Sequence, residues 1–183
     1  MKQEERTALA NWEEYKADIS NSTPVDVNMS QAQREKHRLY LEEHPIEWIG
    51  FFFPNYAKYP FAPFHKKAIK RILNNDEWYE VLSWSRELAK STVVMFCVMY
   101  LALTGRKRNV MLASATQDSA RRLLDPYRAN LEANGRIKAY YGEQMNIGSW
   151  TDTEFIAKCG CAFRAIGADN APRGSRNEAV RPD

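Results

Sequence analysis

Lys90, Ser91 and Thr92 form the part of the sequence best suited to chemistry, because a lysine followed by hydroxyl residues can bind phosphate and a divalent metal. They follow residues 84–89, a predicted loop between a predicted strand and a predicted helix. The backbone amides of such a loop, with the helix N-terminus, can surround phosphates. In that setting Lys90 reaches the β- and γ-phosphates of a nucleotide, and the Ser91 hydroxyl binds magnesium. We expect Thr92 to contact the α-phosphate or to support the helix start.

The same loop lacks the glycines that usually bring a backbone close to phosphate. Trp84 stands at the first glycine position and Ala89 at the second. The methyl group of Ala89 lies where the backbone approaches the phosphates, which argues for weaker nucleotide binding. From these residues alone, a phosphate-binding loop and an ordinary helix start that contains Lys-Ser-Thr are equally good interpretations.

A resemblance to a known family favours the first interpretation. The segment from Ser85 to Ser91 resembles the deviant Walker A motif of viral large terminase subunits, in which an early arginine replaces the glycine-rich start. The resemblance continues, in order, over about residues 60–183. Phe64-His65 is similar to the family's adenine-side motif, and residues 110–120 resemble its second strand and the turn that follows. The stretch that leads into the family's Walker B strand is resembled by Gly167, Arg173-Gly174 and Arg181-Pro182-Asp183.

The resemblance implies a nucleotide site with ATP and Mg²⁺ as cofactors. Arg86 and Lys90 take the catalytic roles, and Ser91 is the metal ligand. Arg86 would stabilise charge on the γ-phosphate, a task that suits a planar, always charged guanidinium; a salt bridge with Glu87 is the alternative. His65 would contact adenine, or simply cap a helix. The predicted nucleotide-binding residues are His65, Ser85, Arg86, Glu87, Leu88, Ala89, Lys90, Ser91 and Thr92.

The same resemblance implies an ATPase motor that moves double-stranded viral DNA into a capsid in the host cytoplasm. Its partners would be a portal protein, a small terminase subunit and further copies of the chain. The family's catalytic acidic strand and nuclease domain would follow Asp183, so we expect this chain alone neither to turn over ATP nor to cut DNA. A fragment of a helicase-type translocase and a non-catalytic assembly or DNA-binding remnant are the alternatives.

The sequence pattern predicts an α/β fold: an incomplete RecA-like P-loop ATPase core with a parallel sheet and a helical amino-terminal extension. The extension covers residues 1–45, with Ser30 and Gln33 forming a capping box and Pro45 ending the last helix. The remainder, residues 46–183, is the amino-terminal part of the ATPase domain. Within it we predict strands at 78–84, 109–115, 153–156 and 161–166, and helices at 64–73, 90–103 and 118–134.

Residues 46–64 are rich in aromatic residues and proline, and we predict that they wrap over the core rather than form one regular element. A base-stacking surface for single-stranded nucleic acid is the alternative interpretation.

The overall charge and composition say little about the function. The formal net charge of +3 permits a nucleic-acid partner without arguing for one. Arg173 and Arg176 could meet DNA or a neighbouring subunit, or could simply lie in a solvated loop. The basic turn at 105–109 suggests the same contacts, but helix-end charge compensation explains it adequately. Cys159 and Cys161 have no histidines at metal spacing, so we expect reduced thiols that bind no zinc. The longest apolar run, residues 93–103, is about half of a membrane span.

Overall fold

The computed structural model describes residues 3–168, with side chains from residue 6 onward. This part of the chain forms a mixed α/β fold of seven α-helices, one 3₁₀ turn and three strands. The elements are α1 (Gln3–Ser22), α2 (Gln31–Glu43), α3 (Pro45–Phe52), α4 (Pro63–Leu73), α5 (Lys90–Leu103), β1 (Asn109–Ser114), α6 (Gln117–Ala133), α7 (Gly135–Tyr141), the 3₁₀ turn (Ile147–Ser149), β2 (Glu154–Ile156) and β3 (Ala162–Gly167).

The sheet is small and mixed, with the strand order β1-β3-β2. β1 and β3 are parallel, and their register pairs Asn109 with Ala162 and Ser114 with Gly167. β2 runs antiparallel to β3, from which it is separated by a short turn that contains Gly160. A turn of this length can join only antiparallel neighbours, since a parallel pair needs a crossover of about a dozen residues or more. The predicted parallel sheet is therefore confirmed for one pair of strands.

The predicted strand at residues 78–84 is wrong for the described structure. The segment is extended and its burial alternates as in a strand, with Glu80, Leu82 and Trp84 partly buried and the residues between them exposed. It forms no ladder with the described strands, and Leu82 and residues of β1 line a shared cleft of about 520 Å³. An extended segment without a hydrogen-bonded neighbour is not a strand, however well its residues suit one.

The prediction for residues 46–64 needs a correction in its first half, where α3 is a regular helix. Pro45 occupies the first helical turn, which proline tolerates because the amide there has no partner within the helix. Trp48, Ile49 and Phe52 recur at helical spacing and are fully buried. The irregular part is therefore confined to the residues between α3 and α4.

The other helix predictions are confirmed within a residue or two. Ser30 and Gln33 form the capping box at the start of α2. The helix predicted to end at residue 134 ends at Ala133, and Asn134 then caps α7, a helix that the sequence pattern did not indicate. α1 packs along α6, and Ile19 on its inner face is fully buried.

Helix α5 runs through the main hydrophobic core. It contacts α3, α4 and α6, and α6 in turn covers one face of the β1–β3 pair. The largest fully buried side chains of this core come from several elements: Trp48, Phe52, Phe53, Phe96, Phe155 and Phe163. The amino end of α5 emerges from this core at the candidate site, so the position of Lys90 is fixed by extensive packing.

Candidate phosphate-binding site

Lys90 is the first residue of α5 and turns its side chain back onto the preceding loop. Its ammonium group donates hydrogen bonds to the backbone carbonyl oxygens of Trp84 and Ser85, the latter at 3.2 Å. An ammonium group has three N–H donors, so these two bonds leave one donor for a ligand. The loop thus holds a positive charge at a helix N-terminus, where the helix dipole also favours an anion.

The loop backbone adopts the left-handed conformation twice. Glu87 has φ 66° and Ala89 has φ 55°, and Ala89 is also the N-cap residue of α5. Side chains with a Cβ are strained in this region of φ, which glycine adopts freely. Ala89 stands at the second glycine position of the predicted motif, and its backbone there has a conformation that glycine adopts more easily than alanine.

His65 braces the loop from helix α4. Its Nε2 donates a hydrogen bond to the carbonyl oxygen of Leu88 at 3.1 Å, while its Nδ1 is buried without a hydrogen-bond partner in the described structure. The ring centroid of His65 lies 5.3 Å from that of Trp84, and Phe64 packs edge-on against Trp84 at 5.0 Å. These aromatic contacts hold the start of the loop in place. Neither Trp84 nor His65 was assigned this role from the sequence.

A cleft of about 470 Å³ opens beside the loop, a size typical of small-molecule sites. The first turn of α5 contributes Lys90, Ser91 and Thr92 to its lining. Ser91 is exposed and Thr92 is partly buried, so both hydroxyl groups lie at the cleft rather than in the core. Helix α6 forms another wall and contributes Arg122, Leu123, Pro126 and Tyr127.

Glu80 is the acidic side chain that lines the cleft, and its carboxylate already has partners within the protein. Its carboxylate forms a salt bridge with Arg71 and accepts a hydrogen bond from the indole nitrogen of Trp78 at 2.6 Å. Because this charge is neutralised within the protein, the cleft presents Lys90 and Arg122 as its positive groups. A serine hydroxyl, a lysine ammonium and a helix N-terminus are groups that suit a phosphate with Mg²⁺.

The structure brings together some of the predicted site residues and not others. Lys90, Ser91 and Thr92 share the cleft. Ser85, Arg86 and Glu87 are exposed on the loop and do not line the cleft, and the alternative salt bridge between Arg86 and Glu87 does not form. Sequence reasoning missed Arg122 and Glu80 on the cleft walls. The adjacent Arg121-Arg122 pair is visible in the sequence as a candidate anion-binding feature. Which surface each arginine faces, however, depends on how α6 packs.

The basic turn at 105–109 follows the carboxyl end of α5, whereas the loop precedes its amino end. In the basic turn, Arg106 forms a salt bridge with Asp76 at 3.3 Å, and Lys107 donates to the carbonyl oxygen of Asp76. Arg173 and Arg176, together with residues 173–174 and 181–183 of the family resemblance, lie outside the described residues.

The cysteines of the chain are free thiols in shielded positions. Cys97 and Cys161 are buried, Cys159 is partly buried, and none is in a disulfide. Burial raises the pKa of the Cys97 thiol to about 12. In the part of the chain that the structure describes, no three His, Cys, Asp or Glu side chains cluster as a metal site would require.

Comparison with known proteins does not assign the chain to a family. No family model matches it, and no curated protein sequence matches it significantly. Within residues 3–168, none of the helices combines the length and the apolar character that a membrane crossing needs.

Proposed function

We propose that the loop at residues 84–89 and the start of α5 bind the phosphates of ATP together with Mg²⁺. The observation that carries this proposal is the position of Lys90: its ammonium group lies at a helix N-terminus, is held by loop carbonyls and borders a cleft of about 470 Å³. An ordinary helix-start lysine would instead extend into solvent, where its side-chain entropy is highest.

Each proposed role follows from the chemistry of the side chain. Lys90 neutralises charge on the β- and γ-phosphates, and the Ser91 hydroxyl is a ligand of Mg²⁺, which prefers oxygen ligands. Thr92 contacts the α-phosphate or supports the helix start. Arg86, exposed on the loop, would turn towards the γ-phosphate only when nucleotide is bound. His65 holds Leu88 and, by the family resemblance, faces adenine. Magnesium supplies positive charge to the phosphate oxygens when it is bound.

The larger function that we propose is the ATP-binding part of a viral DNA-packaging motor of the large-terminase type. Support comes from the sequence resemblance and from the order of elements around it: loop, helix α5, strand β1 and helix α6 follow one another as in a P-loop ATPase core. In this proposal the core is RecA-like, residues 1–45 are its helical extension, and the partners are double-stranded DNA, a portal protein, a small terminase subunit and further copies of the chain.

Calorimetric titration of the chain with ATP and Mg²⁺ tests the nucleotide site. Lys90→Ala should weaken binding by about tenfold or more, because it removes a charge-assisted contact with phosphate. Lys67→Ala, a lysine lost from the exposed face of α4, is the matched control and should bind as the wild type does. Equal affinities for ATP in the two variants would contradict the proposal.

A second measurement separates the motor from a helicase-type translocase. ATP binding by the chain is measured with linear double-stranded DNA and with single-stranded DNA of the same length. A packaging motor should respond to the duplex, because the duplex is its cargo. A response to the single strand alone would favour the helicase interpretation.

A further inference from the structure

Two consecutive arginines on α6 make different contacts. Successive residues of an α-helix are about 100° apart around its axis, so neighbouring side chains leave in different directions. Arg121 points to the turn before β2, where its guanidinium donates a hydrogen bond to Asp152 at 3.1 Å. Arg122 is exposed, lines the cleft that contains Lys90 and Ser91, and makes no salt bridge within the described residues.

The carboxylates around Arg122 have stronger partners elsewhere. Glu80, on the cleft wall, is bound to Arg71. Asp125 lies one helical turn from Arg122, and its pKa is raised, chiefly by burial. Among the opposing charges that lower it, Arg128 and Arg121 act more strongly than Arg122. Asp118, one turn earlier on α6, acts on Arg121 and forms no salt bridge with Arg122 in the described structure. Arg122 therefore has no carboxylate as a salt-bridge partner among the described residues.

Lys90 and Arg122 consequently place two positive groups on one cleft, from two different helices. The carbonyl oxygens that hold Lys90 are neutral and do not cancel its charge. Like charges that share a cleft repel each other, and an anion bound between them removes that repulsion. The guanidinium of an arginine suits phosphate in particular, because its N–H groups form a fork that can bind two phosphate oxygens at once.

We propose that Arg122 is a phosphate-binding residue of this site and that it contacts the terminal phosphate of a bound nucleoside triphosphate. This inference rests on the proposed nucleotide site. In the proposed site Lys90 contacts the β- and γ-phosphates, and Arg122 lines the same cleft from the α6 wall. The γ-phosphate can therefore lie between the two side chains. Because α6 also packs against β1, β3 and α1, the contact links the terminal phosphate to the rest of the fold.

The test is calorimetric titration of the full chain with ATP and with ADP, both with Mg²⁺. Arg122→Ala should weaken ATP binding by about 10- to 100-fold, the usual effect of losing a hydrogen-bonded charge contact. Its affinity for ADP should change by less than about threefold, since ADP lacks the terminal phosphate. Arg122→Lys should lie between the wild type and Arg122→Ala, because it keeps the charge but loses the fork.

Arg121→Ala is the matched control, since it removes the same charge from the adjacent position of the same helix. It should bind ATP within about twofold of the wild type. Thermal unfolding checks that each variant is folded. Equal ATP affinities for Arg122→Ala and Arg121→Ala would overturn the inference, and so would equal losses for ATP and ADP in Arg122→Ala. If the wild type binds no ATP, the proposed nucleotide site fails together with the role of Arg122; a failure of Arg122 alone leaves that site standing.

Discussion

Ala89 has a backbone conformation that alanine disfavours. It adopts φ 55°, where a residue with a Cβ is strained, yet it is also the N-cap residue of α5, directly before Lys90. The surrounding contacts hold this conformation: His65 binds the carbonyl oxygen of Leu88, and Lys90 binds those of Trp84 and Ser85. Strain that persists because neighbours enforce it is typical of functional loops.

Replacing Ala89 with glycine should therefore stabilise the protein. We expect Ala89→Gly to raise the free energy of unfolding by about 0.5–1 kcal/mol, because relief of the left-handed strain exceeds the entropy cost of glycine in the unfolded chain. The measurement is denaturant unfolding. Ala10→Gly, at an exposed position within α1, is the control, and it should lower the free energy of unfolding by about 1 kcal/mol. Destabilisation by both changes would show that the loop is not strained.

At the level of elements, α5 and β1 leave neighbouring surfaces open. α5 is apolar on every face, a pattern typical of a helix buried on all sides. Val94 and Val98 are nevertheless only partly buried, and they line the cleft of about 520 Å³ between residues 78–84 and β1. β1 is accordingly an edge strand of the described sheet, with β3 as its partner on the other side.

Amide hydrogen exchange can check which edge of β1 is open. The carbonyl oxygen of Arg108, just before β1, accepts a hydrogen bond from Ala162 of β3, and that of Ser114 accepts one from Ala168, just after β3. The backbone N–H and C=O groups of the even-numbered residues of β1 therefore point towards β3. Strand alternation then directs the amides of Met111 and Ala113 away from it. We expect these two amides to exchange about tenfold faster or more than those of Val110 and Leu112, because their opening needs no disruption of the sheet. Equal protection of all four would show that β1 has a neighbour on that side.

Across the whole molecule, the junction between α6 and α7 joins segments that are distant in the sequence. The side-chain amide of Asn134 donates a hydrogen bond to the carbonyl oxygen of Phe52 at 2.6 Å, and its oxygen accepts one from the backbone of Ile137. The amide of Gly135 donates to the Thr23 hydroxyl at 3.0 Å. Asn134 and Thr23 are both buried, so these bonds tie the amino-terminal helices to the rest of the fold in its interior.

Gly135 allows this close approach because it lacks a Cβ. A Cβ at this position would lie 2.8 Å from the carbonyl oxygen of Thr23, a backbone atom that cannot turn away. Gly135→Ala should therefore lower the free energy of unfolding by about 1–3 kcal/mol, although alanine by itself favours a helix. Gly148→Ala is the control: its nearest neighbour is 3.9 Å from the added Cβ, so its effect should stay within about 0.5 kcal/mol. Thermal or denaturant unfolding measures both, and equal stability of the two variants would show that residues 23 and 135 are not in close contact.

The sequence by itself determined the features that depend on residues close together in the chain. Helix α5 and the place of Lys90 at its start follow from the apolar run and the Lys-Ser-Thr segment. The capping box of Ser30 and Gln33 needs only three residues of separation. Strand β1 was also visible as a short apolar run before a polar turn. In each case, local hydrogen bonds and side-chain periodicity favour one conformation.

The tertiary structure decided what depends on distant partners. Residues 78–84 have the alternation of a strand, but a strand exists only when another backbone hydrogen-bonds along it. Arg122 shares a cleft with Lys90 because α6 packs against α5, a contact that no spacing in the sequence encodes. Arg86, which the motif placed with Lys90, is exposed on the loop and does not line the cleft. A side chain joins a site only through the packing of the element that carries it.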